Sequence, residues 1–200
     1  ARGAPDGTVM IIGNSGTHAI NATLYRKLPY DPVRDFAAVS EIASPTVVLL
    51  SHPSVPAKSV KDFIALAKKS PGKLNFAIAG ATGEVAGNAI KLMAGVDIRN
   101  TPYKGAGPAV VALMSGEADL MFTNYVAVEQ LISRGKIRLL GITAAQRNPR
   151  LPNVPTIAEG GLEGYAVEMW YGLFMPAKTP PAIINAVHRE TSRIAATAEF

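Results

Sequence analysis

Short apolar runs alternate with amphipathic segments along the whole chain, and Gly or Pro separates most of them. The apolar runs at residues 8–12, 46–50 and 74–78 have the length of buried strands. Residues 59–69 carry apolar side chains at helical spacing, with Ser59 as the predicted N-cap and Pro71-Gly72 as the stop. Further strands are predicted at 37–43, 98–102, 119–122, 136–143 and 167–175, and further helices at 22–25, 85–94, 108–114, 126–133 and 180–196. This alternation predicts a mostly parallel sheet with helices on both faces.

Two of the apolar runs lead into turns of small and hydroxyl-bearing residues. The first turn covers residues 13–21 (Gly-Asn-Ser-Gly-Thr-His-Ala-Ile-Asn), and the second is Gly80-Ala81-Thr82-Gly83, ahead of a helix from Val85. Such a turn exposes backbone N–H groups at the positive end of a helix, which favours an anion. The two turns are chemically alike and can face each other. On local pattern alone, a tight turn capped by Ser15 or Thr17 explains the first turn equally well.

Composition narrows the function classes. With 48% hydrophobic residues in 200, the chain can bury the core of one large domain or two small ones. The net charge of +5 comes from dispersed Lys and Arg residues, and aromatic residues are only 6%. We therefore predict a solvated basic surface and no nucleic-acid partner. The absence of cysteine excludes disulfides and thiolate chemistry, and no apolar run has the length of a membrane-spanning helix.

Known catalytic motifs fit the chain poorly. The stretch Gly13-Asn14-Ser15-Gly16-Thr17 lacks the Gly that a nucleophile elbow needs two residues after Ser. The second turn lacks both the dinucleotide spacing of glycines and the Lys of a phosphate-binding loop. His18, His52 and His188 show no metal-ligand spacing. We therefore predict a protein that is not an enzyme and that needs no metal or cofactor.

Four ordered motifs together carry a family resemblance. They are residues 13–21, residues 28–36 (Leu-Pro-Tyr-Asp-Pro-Val-Arg-Asp-Phe), residues 93–97 with 102–105, and Trp170-Tyr171-Gly172-Leu173-Phe174. Taken together, they resemble the Bug family, the extracytoplasmic solute-binding proteins of tripartite tricarboxylate transporters. The resemblance covers essentially all 200 residues.

The resemblance implies a periplasmic-binding-protein-like α/β fold of the type II flytrap kind, with a ligand cleft between two α/β domains. By that analogy the first domain comprises residues 1–45 and 171–200, and the second comprises residues 46–170. It also implies that the N- and C-terminal parts of a longer protein are missing. The missing parts would include a signal peptide and the first strand and helix of the family, with a loop that grips the ligand carboxylate.

The resemblance further implies a monomeric periplasmic receptor. It would capture a small mono- or dicarboxylate for the membrane components of the transporter. The implied ligand-binding residues are Asn14, Ser15, Gly16, Thr17, Gly80, Ala81, Thr82, Gly83, Thr123 and Asn124. The chain departs from the family pattern at Glu84, where relatives have His in a longer loop, and at Thr123-Asn124, where many have Asp. An effector-binding regulatory domain of the same fold and a small-molecule enzyme remain as alternatives.

Overall fold

The computed structural model of the chain describes residues 3–197. The chain separates into two compact units, of which unit 1 comprises Ala1–Ser44 with Met169–Phe200 and unit 2 comprises Pro45–Glu168. The elements, in order, are β1 (Ile11–Asn14), a π-helical segment (Gly16–Ile20), α1 (Asn21–Leu24), β2 (Phe36–Ala43), β3 (Val47–Ser51), α2 (Val60–Lys69), β4 (Asn75–Ile78), α3 (Gly80–Ala94), β5 (Arg99–Pro102), α4 (Ala106–Ser115), β6 (Leu120–Asn124), α5 (Tyr125–Ser133), β7 (Arg138–Ile142), β8 (Tyr171–Pro176) and α6 (Pro181–Ala195).

Unit 1 contains a three-stranded antiparallel sheet in the order β1-β8-β2. Strand β8 lies in the middle, so residues from both ends of the sequence are needed to complete the sheet. Gly13 of β1 lies directly opposite Gly172 of β8. The pairing of β2 with β8 shifts register twice, after Ala38 and after Glu41. Helix α6 packs on β2.

Unit 2 contains a five-stranded mixed sheet in the order β5-β4-β6-β3-β7. Strand β4 is parallel to β5 and β6, whereas β3 is antiparallel to β6 and β7. Four strands therefore run in one direction and β3 runs against them. The prediction of one mostly parallel sheet is right for those four strands, and it is wrong for β3 and for the separate antiparallel sheet of unit 1. Residues 47–51 are all buried, and a continuous apolar run does not encode strand direction.

Helices cover both faces of this sheet, as predicted. On one face, Val48, Leu50 and Met121 pack in a buried cluster with side chains of α4 and α5. On the other face, the ring of Phe76 contacts the rings of Phe63 of α2 and Phe122 of β6. Alternate residues of each strand thus supply two separate layers of core. Helix α2 begins as predicted, because the Ser59 hydroxyl accepts a hydrogen bond from the Asp62 amide at 3.1 Å.

The structure corrects both predicted turns. Gly13 and Asn14 belong to β1, and the chain is already helical from Gly16, well before the predicted helix at residue 22. Helix α3 begins at Gly80, so the second predicted turn is the first turn of the helix itself. Gly80 has φ = +80°, a conformation that glycine adopts without strain. This residue lets the chain pass from β4 into α3 with only Ala79 between them.

Candidate functional site

Residues 14–17, which we call the turn segment, follow β1 in unit 1. The Asn14 amide donates to Thr17 Oγ1 at 3.0 Å, and the Thr17 amide donates to Asn14 Oδ1 at 2.9 Å. The Ser15 amide donates to the Trp170 carbonyl oxygen at 3.2 Å. Three of the four amides are therefore used inside the protein, and the prediction of a turn with exposed amides is wrong for them. The physical reason is the reciprocal pairing of Asn14 and Thr17, which works like a capping box.

Two buried polar groups of the turn segment have no hydrogen-bond partner within residues 3–197. Ser15 is buried, with 5% of its surface exposed, and its Oγ has no hydrogen-bond partner within residues 3–197. The amide of Gly16 likewise has no acceptor in that part of the chain. A buried hydroxyl without a partner is energetically costly and is typical of a position where water or a ligand binds. One hydroxyl and one amide of the segment are thus buried without a partner.

Three helix N-termini lie at one edge of the sheet of unit 2. Strands β5, β4 and β6 are neighbours that run in the same direction, and helices α4, α3 and α5 follow them. Because the carboxyl ends of parallel strands meet at one edge, the three helices begin together there, at what we call the carboxyl edge. No side chain caps any of these three N-termini, and none has an acidic residue in its first turn. The first amide of α5, that of Tyr125, donates to the Thr46 carbonyl oxygen at 2.8 Å, so α3 and α4 are the helices whose first turns can offer amides to an anion.

The structure brings the predicted residues of unit 2 together at this edge. Residues 80–83 form the first turn of α3, in which Thr82 is only 6% exposed and Gly83 is buried. Thr123 and Asn124 end the adjacent strand β6, paired with Val48 and Val47 of β3. Asn124 is the N-cap residue of α5, although its side chain makes no capping hydrogen bond. Ordinary strand spacing, about 5 Å, separates β4 from β6.

The N-terminus of α4 also lies at the carboxyl edge, although no residue of α4 is among the predicted ligand-binding residues. Gly105 precedes α4 with φ = +106°, and the first turn of the helix contains Gly107 and Pro108. Lys104 lies exposed in the same loop and adds positive charge. The glycine-rich stretch after a predicted strand was the sequence signal available for this site. Its position beside the second predicted turn depends on the strand order, which the sequence did not reveal.

Other candidate chemistry is sparse within residues 3–197. No three His, Asp or Glu side chains there lie close enough together to hold a metal ion. Over the same residues, no helix has both the length and the apolar character needed to cross a membrane. A cavity of about 410 Å³ in unit 1 is lined by parts of β2 and β8 with Trp170 and His188, and the turn segment does not contribute to it.

The sequence matches the tripartite tricarboxylate transporter receptor family, TctC, over residues 1–200. The chain belongs to this family. Among curated relatives, BugT of Bordetella pertussis (strain Tohama I) is 32% identical over 192 residues, which are 94% of this chain and 59% of BugT. The predicted resemblance to the Bug family is thereby confirmed. The chain spans less than two thirds of the length of BugT and of a second curated relative from Pseudomonas sp. (strain P51).

Two solved structures show the same fold with organic acids bound. An R. palustris protein with adipate is 35% identical, with a TM-score of 0.91 over 99% of this chain and 67% of that protein. MatC from Rhodopseudomonas palustris, with bound malate, is 33% identical, with a TM-score of 0.87 over 98% of this chain and 68% of MatC. The predicted fold class, α/β of the periplasmic-binding-protein type, is therefore confirmed for this TctC-family chain.

Proposed function

We propose that this chain is the ligand-binding part of a periplasmic receptor for a small mono- or dicarboxylate. The receptor delivers its solute to the membrane components of a tripartite tricarboxylate transporter. Family membership supports the transporter link, and the adipate and malate in the two related structures support the class of ligand. Within this chain, the observation that carries the proposal is the set of three uncapped helix N-termini at the carboxyl edge.

Those N-termini suit a carboxylate without a dedicated cationic side chain. The first amides of α3 have no acceptor within the helix, and the helix dipole makes that end positive. The Thr82 hydroxyl lies in the same turn and is a further donor. No acidic residue in the three first turns repels the ligand. A charge-assisted hydrogen bond contributes about 1.5–3 kcal/mol, so two or three of them give useful affinity for a small anion.

We propose that the ligand is held from two sides by two domains, residues 1–45 with 171–200 and residues 46–170, which close on it. In the first domain, Ser15 Oγ and the Gly16 amide donate to the ligand, while Asn14 and Thr17 shape the turn segment. In the second domain, residues 80–83 bind one carboxylate. Thr123 and Asn124 are neutral, and we assign them to hydrogen bonds with the distal group of the ligand. The protein acts as a monomer, without a cofactor or metal.

Isothermal titration calorimetry of the intact protein with adipate and malate tests the assigned site. We expect Ser15→Ala and Thr82→Val each to weaken binding of the same acid by about 1–3 kcal/mol, since each variant removes one hydrogen bond to a charged group. Ser40→Ala and Thr101→Val are matched controls outside the site and should bind as the wild type does. Loss of affinity in only one of the two site variants would contradict a ligand held from both sides.

Recovery of the ligand separates a receptor from an enzyme. After prolonged incubation with the protein, mass spectrometry should find the bound acid chemically unchanged. Conversion of the acid to a product would overturn the assignment as a binding protein.

A further inference from the structure

The side chain of His18 is enclosed by aromatic rings from several elements of unit 1. Its imidazole stacks on Phe174 of β8, with ring centroids 4.1 Å apart and an interplanar angle of 16°. Phe36 of β2 approaches it edge-on at 4.9 Å, and the Tyr30 ring lies 6.5 Å away. The ring is therefore fixed by contacts with two strands and with the linker between α1 and β2.

The backbone beneath this ring is shaped to admit it. A Cβ added to Gly13 would lie 2.4 Å from both Cε1 and Nδ1 of His18, much closer than two such atoms can approach. A Cβ added to Gly172, directly opposite in the sheet, would lie 3.0 Å from the Phe174 ring. The two glycines therefore leave the space in which the His18 and Phe174 rings stack. Any larger residue at position 13 would displace the imidazole.

The imidazole has one polar contact, and it is with the turn segment. His18 Nδ1 lies 2.9 Å from Thr17 Oγ1, while Nε2 is buried and has no partner within residues 3–197. Burial lowers the pKa of His18, which keeps the ring neutral near pH 7. A neutral ring carries one N–H, so the contact with Thr17 decides where that proton lies.

The hydrogen bonds of Thr17 favour a proton on Nδ1. Thr17 Oγ1 already accepts from the Asn14 amide at 3.0 Å, and it lies 3.2 Å from the Asn14 carbonyl oxygen. If Nδ1 donates to Oγ1, the Thr17 hydroxyl is free to donate to that carbonyl, and only an acceptor, Nε2, stays unpaired. The other tautomer would bury an unpaired Nε2–H group. The Tyr30 hydroxyl completes the arrangement by donating to the Thr17 carbonyl at 2.8 Å.

We propose that His18 is a positioning residue for the turn segment: its Nδ1–H holds the Thr17 hydroxyl, and thereby the Asn14–Thr17 pairing that presents Ser15 Oγ and the Gly16 amide to the ligand. The inference deepens the proposed function and rests on it for its effect on ligand binding. The state of the turn segment without ligand is independent of it. His18 itself does not touch the ligand.

The ligand-free arm of the test uses NMR on the intact protein. Nitrogen-15 spectra should show His18 as the neutral tautomer protonated at Nδ1. In His18→Phe, which keeps a ring for stacking but lacks Nδ1, hydrogen exchange at the Asn14 and Thr17 amides should become at least about fivefold faster, because the Thr17 hydroxyl loses the Nδ1–H donor that holds it in place. His188→Phe, at an exposed histidine of α6, is the matched control and should leave both amides unchanged. Unchanged exchange in His18→Phe would overturn the proposal.

The ligand arm compares His18→Phe with His18→Asn by calorimetry with adipate and malate. An Asn side chain can place an N–H group near the position of Nδ1, although it gives up the aromatic stacking. We expect His18→Phe to keep thermal stability and lose about fivefold to tenfold in affinity, and His18→Asn to lose stability and keep affinity within about twofold. The proposal would be overturned if affinity and thermal stability changed together, so that His18→Phe kept both and His18→Asn lost both. If the wild type binds no carboxylate, the proposed function fails, and amide exchange still decides the role of His18.

Discussion

At the scale of single residues, the His18 ring packs directly against the backbone of Gly13, and we expect this contact to hold the turn segment in place. The adjoining contacts between His18 and Phe174 are close, and the backbone at Gly13 leaves no room for a Cβ. The turn segment thus packs against an aromatic stack and is also closed by the hydrogen bonds between Asn14 and Thr17.

The variant Gly13→Ala tests whether the close packing of the His18 ring over Gly13 contributes to stability. The new methyl group would lie 2.4 Å from the imidazole and 2.9 Å from the Phe174 ring, so we expect a loss of about 1–3 kcal/mol in the free energy of unfolding, as overpacking usually causes. Urea denaturation measures the change. Gly107→Ala in α4 is the matched control, because an added Cβ there meets open space and should stabilise the helix by about 0.4–1 kcal/mol. Equal stability of Gly13→Ala and the wild type would show that the ring is free to move.

The sequence predicted the turn segment but not the roles of its members. Ser15 and Thr17 are both small and hydroxyl-bearing, and both suit a helix start. Only the structure shows that Thr17 closes the turn with Asn14 while Ser15 keeps an unpaired hydroxyl. The orientation of the Ser15 backbone also depends on a residue far away in the sequence. Trp170, which accepts from the Ser15 amide, is 155 residues away in sequence.

At the scale of elements, the start of α3 is where the proposed function places one carboxylate of the ligand. Ala79 occupies the N-cap position with φ = −124° and ψ = 98°, and its methyl group leaves the first amides of the helix without a cap. A Ser or Asp at this position is what a helix start normally favours. The missing cap lowers the stability of the helix and leaves the amides available to a ligand.

The substitution Ala79→Asp should change stability and binding in opposite directions. A carboxylate at the N-cap accepts from the first amides of α3 and interacts with the helix dipole, so thermal unfolding should show a gain of about 1 kcal/mol. The same carboxylate occupies the amides that would bind the ligand and repels an anionic ligand. Calorimetry should therefore show at least about a tenfold loss of affinity for a carboxylic acid. Ala79→Asn is the control, since it caps without charge and should reduce affinity less. Unimpaired binding in Ala79→Asp would place the carboxylate site elsewhere.

The periodicity of the sequence predicted the positions of the helices and strands of unit 2 well and their spatial arrangement less well. Helix α2 and strand β4 lie where apolar spacing, caps and stops placed them. The reversed direction of β3 and the position of α4 beside α3 depend on strand order, and no local pattern encodes strand order. The helical conformation of residues 80–83 was missed because a positive-φ glycine resembles a loop residue in the sequence.

At the scale of the whole molecule, the chain combines two compact units with a net charge of +5. The positive charge favours the approach of anionic solutes, although it does not decide between them. The turn segment belongs to unit 1 and the carboxyl edge belongs to unit 2. The proposed receptor uses both, and each supplies neutral donors in place of a fixed cation. Recognition by neutral donors at helix ends should depend strongly on the charge of the ligand.

The most direct test of this account compares a carboxylic acid with its uncharged amide. Isothermal titration calorimetry of the intact protein would use a panel of mono- and dicarboxylates that includes adipate and malate, each beside the corresponding amide. We predict that at least one acid binds with one molecule per protein and that its amide binds at least about tenfold more weakly, because the amide forms no charge-assisted hydrogen bonds. Equal affinity for acid and amide, or binding of no acid in the panel, would contradict the account.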